Sequence, residues 1–249
     1  MSRMTGLAAV FRRELAGYFA SPLGAIFVVI FLVASGYVTV SRDFGRFIEL
    51  RQASLDPFFA AIPWIFVVLV PAVAMRLWAE ERKSGSVELL LTLPVTLPGA
   101  YLGKFLAGWA FLALSLALTA PVAWQAERLG NPDWGVIVTG YIGCLLTAAA
   151  YLAIGMTFSA ATRSQVVAFI LGVTGCVVFL LIGLPQSQQL IGNLFGGWVE
   201  QVVSSLSLVD HFDALRRGLV ELGTLFFFAA FTIGWLAAGM LVLDRTKAS

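Results

Sequence analysis

Charge is what this sequence has least of. Of its 249 residues, 12% are charged and 59% are hydrophobic, and the mean hydropathy is +0.91. Soluble domains carry about 25% charged residues. A chain with half that share is neither a water-soluble globular enzyme nor a disordered tail. Sixteen Lys and Arg against fourteen Asp and Glu leave a net charge of +2, which excludes the strongly basic surface of a nucleic-acid binder. Only two cysteines are present, Cys144 and Cys176. Both fall within long apolar runs, so they read as packing residues rather than a disulfide framework or a metal site. A single histidine, His211, excludes a His-rich metal centre. No G-x-x-x-x-G-K-[ST], G-x-G-x-x-G or H-E-x-x-H pattern occurs, and Gly103–Lys104 lacks the upstream glycines of a phosphate cradle.

What the chain has in abundance is long charge-free runs. Six occur, near 22–41, 57–75, 105–123, 136–160, 164–184 and 222–243. Each approaches the roughly 20 apolar residues that a bilayer-crossing helix needs. They are apolar all round rather than alternating, so helices are expected and not barrel strands. Arg12 and Arg13 precede the first run, as in a signal peptide, but the preceding segment is long and five spans follow, so an uncleaved first helix is expected. The predicted organisation is an all-α membrane protein. It has an amphipathic helix over 1–21, a six-span domain over 22–243 and a tail over 244–249. Ala168, Gly172 and Cys176 recur every fourth residue, a small-residue stripe for close helix packing. Gly140, Gly143 and Ala148 to Ala150 are expected to do the same in the fourth span.

Lys and Arg set the orientation. The N-terminus, the 76–104 loop, the 161–163 turn and the C-terminus hold ten basic residues and five acids. The loops 42–56, 124–135 and 185–221 hold six and nine. The first set is therefore expected in the cytoplasm, with both termini inside. The spans contain no ionisable residue, and such groups mark intramembrane catalysis and charged ion pathways when present. Function is therefore sought in loops and helix ends.

Three segments stand out. In the first, Leu7, Phe11, Leu15 and Tyr18 share one helical face, with Arg12 and Arg13 off it, which predicts an amphipathic helix at the membrane interface. Glu14 falls within the apolar face with no partner three or four residues away. Two readings stand: it pairs with a cation outside its helix, or it snorkels to water. In the second, 76–104, Ser84 or Ser86 is expected to cap a short helix with Glu88 in its first turn, ended by Pro94, and Thr96 to cap the next. Its exposed leucines ringed by charge suit a docking surface; a membrane-surface helix with solvated charges is the alternative. The third, 206–221, is read as a loop with His211 either solvated or serving a pH role or a ligand contact. Pro185 and the polar run 186–189 break the chain, and the apolar remainder from Ile191 to Val199 is too short to cross, so a re-entrant or interfacial segment is expected.

The run Trp78-Ala-Glu-Glu-Arg-Lys-Ser-Gly-Ser-Val-Glu-Leu-Leu-Leu-Thr-Leu-Pro94 resembles the signature of permease subunits of type-2 ABC exporters. The resemblance is nearest to the gliding-motility and nitrous-oxide-reductase-maturation permeases. Phe11-Arg-Arg-Glu14 through Ser21-Pro22 resembles that family's opening. His211-Phe212 and Arg217-Gly218 resemble its late loop. The resemblance implies a minimal six-span permease subunit without a large extra domain, in a bacterial inner membrane. It would pair with a second copy or a related permease and bind a separate cytoplasmic ABC ATPase, which would hold ATP and Mg. It further implies a coupling helix over 80–90, with Glu80, Glu81, Arg82, Gly85, Glu88, Leu89 and Leu90 as ATPase contacts. Arg12, Arg13 and Glu14 would lie on the connecting helix, and Glu14 would link it to the coupling region. The 185–221 segment, with His211, Phe212, Arg217 and Gly218, would close the outer gate and could meet an extracytoplasmic protein. No nucleic acid, metal or cofactor is implied for the chain itself. An ATPase-independent channel, a membrane enzyme or a scaffold subunit are the alternatives.

Overall fold

The computed structural model describes residues 3–40, 54–85 and 96–245. Those residues form helices and no strand. In chain order they are α1 (Arg3–Ala20), α2 (Pro22–Val40), α3 (Asp56–Ser84), α4 (Leu97–Ala117), α5 (Ala120–Leu129) and α6 (Trp134–Ala161). These are followed by α7 (Gln165–Ile182), α8 (Pro185–Phe195), α9 (Gly197–Ser205), α10 (Leu208–Arg216) and α11 (Leu222–Arg245). Six helical segments are long and apolar enough to cross a membrane: α2, α3, α4 with α5, α6, α7 and α11. An even number of crossings returns the chain to the end where it began. We call that end, where α1 lies, the base. The other end, with α8, α9 and α10, is the crown.

The six runs read from the sequence match these segments, with two differences. The second helix does not stop near residue 75 but continues to Ser84, where Gly85 ends it in the left-handed conformation (φ 71°). Glu80, Glu81 and Arg82 therefore lie in the last turns of a spanning helix. The third run begins earlier, at Leu97, and is broken at Leu118–Thr119 before α5 starts at Ala120 and Pro121. The Thr119 hydroxyl, 2.6 Å from the Leu116 carbonyl and 3.0 Å from the Tyr141 hydroxyl, supplies polar partners at the break.

α6 is the centre of the bundle. It packs on α3, α4, α7, α10 and α11, and every residue from Thr147 to Thr157 is buried. A helix apolar on all sides is stable only in such a place. Its small residues set the spacing. A Cβ on Gly140 would strike the Phe59 ring, and one on Gly155 would lie 2.6 Å from Ala74 Cβ. The stripe Ala168, Gly172 and Cys176 is buried with Leu180, and Gly172 meets Pro71 and Gly155. α3, α6 and α7 thus cross at their closest around Pro71, Gly155 and Gly172.

α2, α7 and α11 bury only one stripe each. Val29, Val33, Val166, Ile170, Phe226 and Ile233 are among their exposed residues. Outward apolar faces of this length suit lipid or another membrane chain.

Candidate functional site at the base

α1 has the amphipathic face expected of it, and α4 covers that face. Val10 and Tyr18 are buried, Leu7, Phe11 and Leu15 half-buried, and Arg12 and Arg13 exposed. The close approach falls at Gly103 of α4, where a Cβ would lie 3.1 Å from the Leu7 carbonyl oxygen and from Val10 Cβ. Tyr18 stacks on Phe111 of α4 (4.8 Å between ring centres). The turn into α2 is tight: Ser21 Oγ accepts from Gly24 N–H, and a Cβ on Gly24 would strike the Tyr18 carbonyl. Arg76 of α3 clasps this corner. It donates to Ser21 Oγ (3.0 Å) and sits 5.0 Å over the Tyr18 ring, a cation–π contact.

One turn beyond Arg76 toward the base is a four-residue ion cluster. Lys104 of α4 is the one fully buried charged side chain among the described residues (1% exposed). Its Nζ lies 3.0 Å from Glu14 Oε1 of α1 and 2.9 Å from Glu81 Oε1 of α3. Arg13 Nη2 reaches the same two oxygens, at 2.7 and 2.9 Å. Two cations thus bridge two carboxylates, and the four charges sum to zero. Behind Lys104 stands the Trp78 ring, 5.1 Å from Nζ and itself stacked on Tyr101 (5.4 Å). Burial pushes the Glu14 carboxyl up, but the Lys104 charge and the hydrogen bonds from Arg13 and Lys104 outweigh it, so Glu14 ionises below the usual carboxylate range.

Glu14 therefore has the cation outside its helix that its place on an apolar face requires, and that cation is Lys104. The expectation that its own helix offers nothing is corrected, because the adjacent Arg13 folds back onto it. Arg13, although off the apolar face, joins the cluster. Glu81, read from sequence as an ATPase contact, turns its Oε1 inward to Lys104 and Arg13. Arg82 donates to the Ala160 carbonyl of α6, while Glu80 is exposed. Glu88, Leu89 and Leu90, and with them the short helix expected before Pro94, lie outside the described residues.

Sequence reading missed Lys104, Trp78, Arg76 and Ser159. Ser159 of α6 is fully buried. Its Oγ accepts from both Trp78 N–H and Ala79 N–H (3.1 Å each) and donates to the Met75 carbonyl (2.8 Å). This hydroxyl enters the α3 ladder one turn from the cluster and fixes α3 to α6 there. A lone lysine inside an otherwise apolar helix was the available signal for Lys104.

At the crown, residues 208–216 are helix α10, not a loop. His211 is half-buried and stacked on Phe227 of α11 at 4.1 Å. Its Nδ1 is 3.3 Å from Thr224 Oγ1 and its Nε2 3.3 Å from the Ser205 carbonyl. Both ring nitrogens are thus partnered, and the histidine packs α10 against α11. Phe212 is buried, Arg217 exposed, and Gly218 takes a positive φ (86°) just past the end of α10. Arg216 bridges to Asp56 at the start of α3 (3.2 Å) and to Asp213 (3.1 Å). Before α10, α8 and α9 join at Gly196 (φ 93°) as a pair with no buried residue.

Six membrane-length helices among the described residues, with a built polar joint at one end, define a multi-pass membrane protein. Comparison with known proteins narrows the class. Residues 8–246 match the family described as ABC-2 family transporter protein, and the chain belongs to that family. It is also similar to heme exporter protein B of Paracoccus denitrificans (strain Pd 1222), 34% identical over 82 residues. That stretch covers 32% of this chain and 38% of the Paracoccus protein.

Proposed function

We propose that this chain is the membrane permease subunit of an ATP-driven transporter, moved by a separate ATPase subunit that binds at the base. In this reading the base faces the cytoplasm of a bacterium, both termini are inside, and ATP and Mg belong to the partner. A second copy or a related permease completes the transporter. The nearest subgroup is that of the gliding-motility and nitrous-oxide-reductase-maturation permeases. The charge-free spans suit an apolar or amphiphilic cargo, and the crown would serve as the outer gate, open to an extracytoplasmic protein.

The observation that carries the coupling part of the proposal is the ion cluster. α3 ends at Ser84, inside the 80–90 stretch where the resemblance places the coupling helix, and Gly85 follows it. Glu81 lies one turn before that end and is tied through Lys104 and Arg13 to α1 and α4. Force applied just past Gly85 enters three helices together. A partner that binds the open and closed states differently shifts their balance by that difference in affinity.

The test is copurification with an ATPase encoded beside this chain, followed by ATP turnover in proteoliposomes. Glu88→Lys and Gly85→Trp are expected to insert in the membrane yet fail to assemble or to couple. At Gly85 the left-handed backbone also disfavours any side chain. Wild-type transport by both variants refutes the coupling assignment, and absence of an ATPase in the purified protein favours a channel or scaffold.

A further inference from the structure

Not every charge at the base is neutralised. On the far side of the α3 end from the ion cluster, Lys83 faces the turn between α6 and α7. A cavity of about 490 Å3 opens there, lined by Lys83, Thr162, Arg163, Ser164, Gln165 and Val166. Neither Lys83 nor Arg163 has a carboxylate partner among the described residues. Arg163 is close enough that its charge acts on Arg82 as well. The fold therefore places two cations, Lys83 and Arg163, from positions 80 residues apart in the chain, on the lining of one hollow, with Arg82 close by. Like charges brought together in this way repel, and an anion in the hollow would relieve them.

Two further features suit the same anion. The hollow opens at the start of α7, where Ser164 Oγ accepts from Val167 N–H, while the first amides of a helix have no acceptor of their own. Thr162 and Ser164 add hydroxyls. Directly beyond the cationic rim, the outward face of α7 becomes apolar: Val166, Val167, Ile170 and Leu171 are 66, 44, 55 and 39% exposed. A ligand that fills this place is anionic at one end and long and apolar at the other.

We infer that the hollow between the α3 end and the α6–α7 turn binds the headgroup of an anionic phospholipid. The phosphate lies between Lys83 and Arg163, and an acyl chain runs down α7 past Val166 and Ile170. Basic pockets between spanning helices are the usual place for such headgroups. The site differs from the ion cluster in that its cations are left open. It also differs from a general basic surface in having an open hollow joined to an apolar track.

The test uses the purified full-length protein in nanodiscs of mixed phosphatidylglycerol and phosphatidylcholine, with bound lipid counted by native mass spectrometry. The wild type is expected to retain phosphatidylglycerol selectively, losing about fivefold in preference for each of the two cations removed. Lys83→Ala and Arg163→Ala remove exposed side chains without hydrogen bonds among the described residues, so folding is expected to survive. Circular dichroism and a monodisperse elution profile check this. Arg245→Ala, a basic residue at the base but away from the hollow, is expected to leave the preference intact. Equal retention of the two lipids by wild type overturns the proposal, as does a preference that persists in the Lys83/Arg163 double variant. Displacement of the lipid by millimolar inorganic phosphate assigns the hollow to a free anion. If the double variant loses ATPase copurification while keeping its lipid preference, the cations serve the partner instead.

Discussion

The base and the crown handle charge in opposite ways. At the base, Lys104 is withdrawn from solvent and held between Glu14 and Glu81, with an aromatic wall behind it. At the crown, Arg216 reaches Asp56 across the helix ends, but Asp56 remains 55% exposed. Taking ions out of water costs several kcal/mol each, repaid only by close and complete pairing. The base therefore depends on every member of its cluster being present. The crown's bridge can be lost and replaced by water. A region that transmits displacement between helices benefits from the first arrangement, since its parts separate only at high cost. A region that opens and closes benefits from the second.

The sharpest way to break this contrast is Lys104→Met. It leaves two carboxylates facing one another with only Arg13 between them, and about 3–5 kcal/mol of stability is expected to go, read as a fall in the unfolding temperature in detergent. Adding Glu14→Gln and Glu81→Gln to that variant is expected to restore most of the stability but not ATP-coupled transport. Next comes the helix crossing that supports the base. Gly155→Val would press on Ala74, and overpacking of this kind costs about 1–3 kcal/mol.

A smaller effect distinguishes the cluster by pH. Because the folded state holds the Glu14 carboxyl below its ordinary value of 4.5, its contribution is fully present above that value. It is lost as pH falls through the lower folded value. The stability gap between wild type and Glu14→Gln is expected to be constant near neutrality and to close on acidification; a gap independent of pH below 4.5 would count against the pairing. At the crown the effects diminish. His211→Phe keeps the stack on Phe227 but loses two hydrogen bonds, for about 1 kcal/mol. Asp56→Asn is expected to cost less than about 1 kcal/mol. Equal losses for Lys104→Met and Asp56→Asn would erase the distinction between the two ends.

Much of the architecture was legible because the bilayer makes the pattern coarse. Runs of apolar residues give the six spans, and the fourfold spacing of Ala168, Gly172 and Cys176 gives the packed face of α7. Glu14 stood out because its helical neighbours were apolar, but the sequence left an outside cation and snorkelling to water both open. Lys104 could not be paired with it, since the two are 90 residues apart and only the docking of α1 on Gly103 joins them. The extension of α3 through Glu80 to Ser84 was hidden for a related reason. A run of charges reads as a loop until Glu81 and Arg82 are seen to have partners on α1, α4 and α6. His211 read as a loop residue because polar residues dominate its surroundings, whereas Phe212, Leu208 and Leu215 bury one side of α10.

The crossing of Pro71 with Gly155 and Gly172 has a mechanical corollary. α3 runs unbroken from Asp56 to Ser84, and Pro71 divides it into arms of about 23 and 20 Å at the usual rise per residue. Held at this crossing, the helix would, on the proposed coupling, pivot near Pro71, where proline already removes a backbone hydrogen bond. A push on Ser84 would swing Asp56 the opposite way by a similar distance. It is at Asp56 that the weak bridge to Arg216 waits to be broken.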